Sequence, residues 1–167
     1  MASELKVDKI FNAGGDQDSG INLATNDTIK FDIATSTKAT MASTGIVTIV
    51  GEGGTTTTNL QQGLAKGWVN FTGEGTVAIN DSHAVSSITD DAVGKYTVNF
   101  TNAMGNTNYA VTAQTEDGGG FNDPRIINHD ASQARTTAAY GLYHWHISSE
   151  ALNDATKLNV IAHGDLA

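Results

Sequence analysis

The amino-acid sequence predicts an all-β protein: a C-terminal β-sandwich or small barrel preceded by extended N-terminal β-hairpins. Three observations carry that expectation. The chain is rich in Thr, Asn and Ala, with 18 Gly, 1 Pro and only 16% charged residues; Thr, Val and Ile favour strands, and Gly and Asn serve turns. Ile29, Phe31 and Ile33 alternate strictly with Lys30 and Asp32, the period-two signature of a strand. No stretch holds helical periodicity over ten residues. The hydrophobic fraction is 39%, against ~45–50% in ordinary domains. That deficit suggests that part of the surface is buried against other copies of the chain. The alternative is a monomeric sandwich with a small core.

Residues 1–50 read as short apolar bursts between polar turns. Leu5, Val7 and Ile10 form the first, Ile21 and Leu23 the second, and Ile29–Ile33 the alternating strand. A hairpin follows, turning at Ser43-Thr44-Gly45 and running through Ile46 and Ile49. No element here closes a core alone, and an isolated two-stranded hairpin is marginal in water. Residues 51–66 read as a boundary. Gly51 to Thr58 is linker-like. Asn59 N-caps a short helical turn carrying Leu60 and Leu64, which are four apart and suited to packing on an axis or on the next domain. Residues 67–167 read as the compact domain. Its predicted strands include Trp68–Phe71, Tyr96–Phe100, Tyr109–Ala113, Arg125–His129, Thr137–Ser148 and Leu158–His163. Strands of four to eight residues with a turn every 8–12 suggest a sandwich or small barrel.

Composition excludes several function classes. Without cysteine there is no disulfide framework, thiolate metal site or thiol nucleophile. A net charge of −9 opposes binding to nucleic-acid phosphates and to anionic lipid. No apolar run approaches the ~20 residues that span a bilayer, and no signal-peptide stretch is expected. The acidity is uneven: residues 1–50 carry 6 acidic and 4 basic groups, the remainder 12 and 5. No G-x-S-x-G elbow, H-E-x-x-H pair or Gly-Lys phosphate loop appears, so no enzyme is expected.

The segment Trp68-Val-Asn-Phe-Thr-Gly-Glu-Gly-Thr-Val-Ala-Ile79 resembles a head domain of phage tail fibres, of the type found in marine and environmental phages. Val85-Ser-Ser-Ile-Thr-Asp90 and Gly94-Lys-Tyr-Thr-Val-Asn-Phe-Thr-Asn-Ala-Met104, running into Asn108-Tyr-Ala-Val111, share the resemblance in order and spacing. Ser3–Ile10 is similar to the start of such fibres, and Met41–Ile49 to their shaft hairpins. The resemblance implies a virion protein, not an enzyme: a homotrimer made in the host cytoplasm. Residues 1–50 would attach it to other tail or virion proteins as an intertwined stalk, and the head would contact the host surface, for instance a polysaccharide, or another virion component. Ile29, Phe31, Ile33, Ile46, Ile49, Leu60 and Leu64 would pack the stalk. Many such fibres have long shafts, and residues 1–50 allow only a stub. A capsid fibre, decoration or adaptor protein without a receptor is therefore the alternative, and a free carbohydrate-binding module a third reading.

Candidate site residues fall in three groups. Glu116–Arg125 is a long Gly-rich connection; Phe121 offers an aromatic anchor, and Asn122, Asp123 and Arg125 offer hydrogen bonds to a polysaccharide. The second group is aromatic. Tyr143 and Trp145 share parity with Ile147 and read as core, which leaves Tyr140 on the opposite side, with Leu142 and the histidines, as a sugar platform. The third group is His144 and His146. At i and i+2 of a strand they share a face, and three chains would bring six imidazoles to an axis, suited to an octahedral transition metal. The competing reading places the pair on an outer face, with Trp145 in the core and no cofactor. His83, His129 and His163 show no ligand spacing. The Asp90-Asp91 and Asp16/Asp18 turns carry oxygen ligands of the kind Ca²⁺ takes but no EF-hand loop, and read as turns.

Overall fold

The computed structural model describes residues 7–11, 19–25, 27–51, 54, 56–116, 124–133 and 135–165. The fold is all-β and every strand pairing is antiparallel. Among the described residues, no helix is long and apolar enough to cross a membrane. The chain divides into two compact units, residues 1–63 and 64–167.

The first unit is a single sheet. Strands β1 (Lys9–Phe11), β2 (Gly20–Asn22), β3 (Thr28–Ile33), β4 (Ser36–Ala42), β5 (Val47–Val50) and β6 (Thr57–Asn59) pair in chain order as a meander. The expected linker thus contributes the sixth strand. One helical turn, α1 (Leu60–Gly63), follows, and Asn59 caps it by accepting the Gln61 amide at 2.9 Å. The β3–β4 hairpin turns on Ala34 and Thr35, both at positive φ (49° and 61°), the backbone of a two-residue type I′ turn. Gly45, at φ 80°, supplies the left-handed residue of the β4–β5 turn.

The second unit is a two-sheet sandwich. Its strands are β7 (Gly67–Thr72), β8 (Ala78–His83), β9 (Val85–Ala92), β10 (Lys95–Phe100), β11 (Ala110–Glu116), β12 (Arg125–His129), β13 (Ala139–His146), β14 (Ala151–Leu152) and β15 (Lys157–His163). One sheet runs β11-β15-β7-β8; the other runs β12-β13-β10-β9, with β14 on β13. Alternation dictates the core, because successive side chains point to opposite faces. Val69 and Phe71 of β7 and Leu158, Val160 and Ala162 of β15 meet Tyr96, Val98 and Phe100 of β10 and Tyr140 and Leu142 of β13. The Phe71 and Tyr96 rings cross the interlayer edge-to-face, 5.3 Å apart. The Tyr96 hydroxyl lies 3.2 Å from the Gly73 carbonyl and from Asp154 Oδ1, and accepts the Ala155 amide at 3.2 Å. Burial pushes its phenol above the ordinary tyrosine value.

Candidate functional site

Two surfaces stand out, one on each unit. Residues paired across an antiparallel ladder share a face. In the first unit the register therefore aligns Ile10, Ile21, Phe31, Ala39, Ile49 and Thr58 in one row across all six strands. Ile29, Met41 and Val47 form a second row on the same side. The opposite side carries Lys9, Asn22, Lys30, Asp32, Thr40 and Thr48. There the Asp32 carboxylate accepts bonds from Thr37 Oγ1 at 2.7 Å and Asn22 Nδ2 at 3.0 Å, which hold it below its ordinary pKa.

One face is thus mostly apolar and the other mostly polar, with Phe11 and Val50 the large apolar residues on the polar side, yet burial runs the wrong way. In β3 the apolar Ile29, Phe31 and Ile33 are exposed by 39, 40 and 56%, while Thr28, Lys30 and Asp32 between them are half-buried. No described residue of this unit is fully buried. A sheet with one apolar face is stable only when that face is covered. Of the residues expected to pack a stalk, Ile29, Phe31, Ile33 and Ile49 lie on this face. Ile46 precedes β5, and Leu60, in α1, is 40% exposed. Leu64 falls in the second unit, 55% exposed.

The second surface is a groove of about 480 Å³ on the outer face of the β12-β13-β10 sheet, lined by Lys95, Ile126, Asn128, Asp130, Tyr143, Trp145 and Leu152. Register builds it. Tyr143 pairs with Asn128 on one side and Lys95 on the other; Trp145 pairs with Ile126 and Leu152. Two cross-strand rows result, one polar around a phenol and one apolar around an indole. Asn128 Nδ2 donates to the Tyr143 hydroxyl at 3.4 Å. Lys95 Nζ lies 2.8 Å from Asp130 Oδ2, and Asp130 Oδ1 accepts from the Ser132 amide at 2.9 Å and its hydroxyl at 2.6 Å. The Lys95 ammonium first, and the Ser132 donors next, hold the Asp130 carboxyl down at about 2.

This placement corrects the expected facing of β13. Tyr143 and Trp145 are not core; both are half-buried on the outer face, and it is Tyr140, Leu142 and His144 that point inward. Tyr140 is 7% exposed, with its ring against Tyr109, His129 and the Arg135 guanidinium, so it is no sugar platform. His144 is 2% exposed. Its Nδ1 donates to the Asn153 carbonyl at 2.7 Å, and Nε2 faces Thr115 Oγ1 at 3.4 Å. Both ring nitrogens are thus directed at partners within the domain, and neither is presented to an axial metal. His146 Nδ1 lies 2.7 Å from Ser149 Oγ. Among the described residues no group of three His, Asp or Glu could hold a metal ion. Asp91 accepts from Thr97 Oγ1 at 2.6 Å. Phe121, Asn122 and Asp123, like Asp16 and Asp18, lie outside the described residues. Arg125 opens β12 half-buried, at the same parity as Ile127 and His129 and opposite to the groove residues Ile126 and Asn128.

Lys95, Ile126, Asn128, Asp130 and Leu152 escaped the sequence reading because they lie on three separate segments that meet only across β13. The one local signal was Asn128, a polar residue in the otherwise apolar and aromatic run Ile126–His129. These two surfaces define an all-β protein with an amphipathic sheet and a closed sandwich. No family model, curated protein or solved structure matches the chain.

Proposed function

We propose that this chain is a trimeric virion fibre protein of the phage tail. The N-terminal sheets of three copies cover one another's apolar faces and attach the fibre, and the sandwich heads contact the host surface. The observation that carries the reading is the apolar face of the first unit. Two rows run across its strands in which Ile10, Ile29, Phe31 and Met41 are exposed and Ile21, Val47 and Ile49 half-buried, while the second unit closes a core of its own. The resemblance of residues 68–111 to tail-fibre heads supports the virion setting. Three linked heads would turn three weak contacts into one avid one. A net charge of −9 favours a neutral or cation-bridged surface glycan over bare anionic lipopolysaccharide.

The test has two parts. Mass measurement of the purified chain should give a trimer; a monomer with residues 1–63 open to protease would overturn the reading. Image reconstruction or antibody labelling of virions should place the protein on the tail. Density on the capsid would select instead a capsid fibre or decoration protein with no receptor role.

A further inference from the structure

We propose that the groove on the outer face of the head binds a neutral saccharide, with the sugar's apolar C–H face against Trp145 and its hydroxyls toward Asn128, Tyr143 and Lys95. The proposal deepens the receptor-contact half of the fibre reading and rests on it only in taking the head as the contacting unit.

The argument is chemical. A pyranose has an apolar C–H face and a rim of hydroxyls that both donate and accept. The groove offers the complement in two adjacent rows. Ile126, Trp145 and Leu152 make an apolar strip with an indole at its centre, and aromatic faces carry the negative potential that attracts C–H edges. One row further along β13, Asn128, Tyr143 and Lys95 supply amide, phenol and ammonium groups, and the buried Asp130 carboxylate holds the ammonium in place. Donors and acceptors are both present, as a hydroxyl rim requires.

Charge selects neutral sugars. Among the described residues, the only formal charges lining the groove are Lys95 and Asp130, 2.8 Å apart and cancelling. An anionic sugar would have to compete with Asp130 for the ammonium and would meet a chain of net charge −9. The size, about 480 Å³, lies in the range of small-ligand sites, ~300–1,000 Å³. The polar network is also set before a ligand arrives. Lys95 Nζ donates to Ser132 Oγ at 3.2 Å, and Ser132 holds the Asp130 carboxylate from the other side. Little ordering remains to be done on binding.

The groove is open, so a single site binds weakly, and the test displays the full chain to an array of immobilised neutral, amino-bearing and acidic saccharides. The best-binding neutral sugar is then titrated in solution in a Trp68→Phe background. Trp68 lies in β7, on the other sheet, and its removal leaves Trp145 as the sole tryptophan. The neutral sugar should shift Trp145 emission and at least halve its quenching by acrylamide. In the native chain, Trp145→Ala should weaken binding about tenfold. Asn128→Ala should weaken it several-fold, and Trp145→Phe should recover most of the loss. Binding confined to acidic sugars, neutral binding that leaves Trp145 quenching unchanged, or Trp145→Ala binding like the native chain would each overturn the proposal. The same samples are weighed in solution. A trimer without a Trp145 response refutes the groove and leaves the fibre reading standing; a monomer with the response does the reverse.

Discussion

Replacing Phe31 by Ser tests the covered-face reasoning with a magnitude taken from the structure. Phe31 sits mid-row between Ile21 and Ala39 and is 40% exposed. A phenylalanine buries ~150–250 Å² when fully covered, so roughly 60–100 Å² remains open and is what a covering copy would bury. At ~25 cal/mol per Å² that is about 2 kcal/mol per copy. Three copies change together in a trimer, so the association free energy should fall by about 6 kcal/mol, a factor of ~10⁴ in the association constant. Because the midpoint concentration of a trimer scales as the inverse square root of that constant, it should rise about a hundredfold. Sedimentation equilibrium over a wide concentration range reads this directly, and circular dichroism checks that the strands persist. Thr48→Ser, on the polar face of β5, is the control and should leave the midpoint within a few-fold. A Phe31→Ser chain that associates as tightly as the native one would refute the reasoning. So would an equal loss from Thr48→Ser, which would show general fragility of the sheet instead of a contact face.

Four further outcomes follow from the structure. Tyr96→Phe deprives the Ala155 amide of its acceptor and Gly73 and Asp154 of a donor; the head should lose ~1–3 kcal/mol in urea titration. Gly94→Ala should cost about 2 kcal/mol or more in the same assay, because Gly94 has φ 66° and an added Cβ would lie 2.6 Å from the Asn153 carbonyl oxygen. Thr35→Gly relieves a β-branched residue at φ 61° and should stabilise the β3–β4 hairpin by about 1 kcal/mol, read as slower amide exchange there. Asp130 has a folded pKa depressed from 3.8 to about 2. Its contribution is therefore fully present above the unfolded value and is lost as the pH falls through that interval. Lys95→Met should flatten this acid limb of the head's melting temperature, and an unchanged limb would count against the ion pair as its cause.

Much of the fold was legible in local alternation. Tyr96, Val98 and Phe100 fill the inward positions of β10, and Leu158, Val160 and Ala162 those of β15, because one side of each strand is wholly apolar and the other is polar apart from Ile161. The β13 strand defeated the same rule, since both of its parities carry large side chains. Tyr140, Leu142 and His144 compete with Gly141, Tyr143 and Trp145, and hydropathy favours burying the tryptophan. The structure buries the histidine instead, because Asn153, just past the following turn, and Thr115, from β11, face its two ring nitrogens. Gly141 was a signal in hindsight: it sits on the outer face of β13, and Gln133 lies over it where a side chain would otherwise project. The groove was illegible for the related reason that its members come from β10, β12, β13 and β14 and meet only through register.

The sequence alone determined the all-β class, the change of character along the chain and the apolar parity of Ile29, Phe31 and Ile33, because strand preference and period-two alternation are properties of neighbouring residues. It also contained the shortage of apolar mass relative to an ordinary domain. Tertiary structure decided that the six N-terminal strands form one continuous sheet most of whose apolar residues fall on a single side, which depends on five successive registers and not on any one strand. It decided, too, which face of β13 looks outward, and so which aromatic side chains meet solvent. Burial in a sandwich is settled by what the opposite sheet and the flanking loops offer each side chain, and those partners lie far away in sequence.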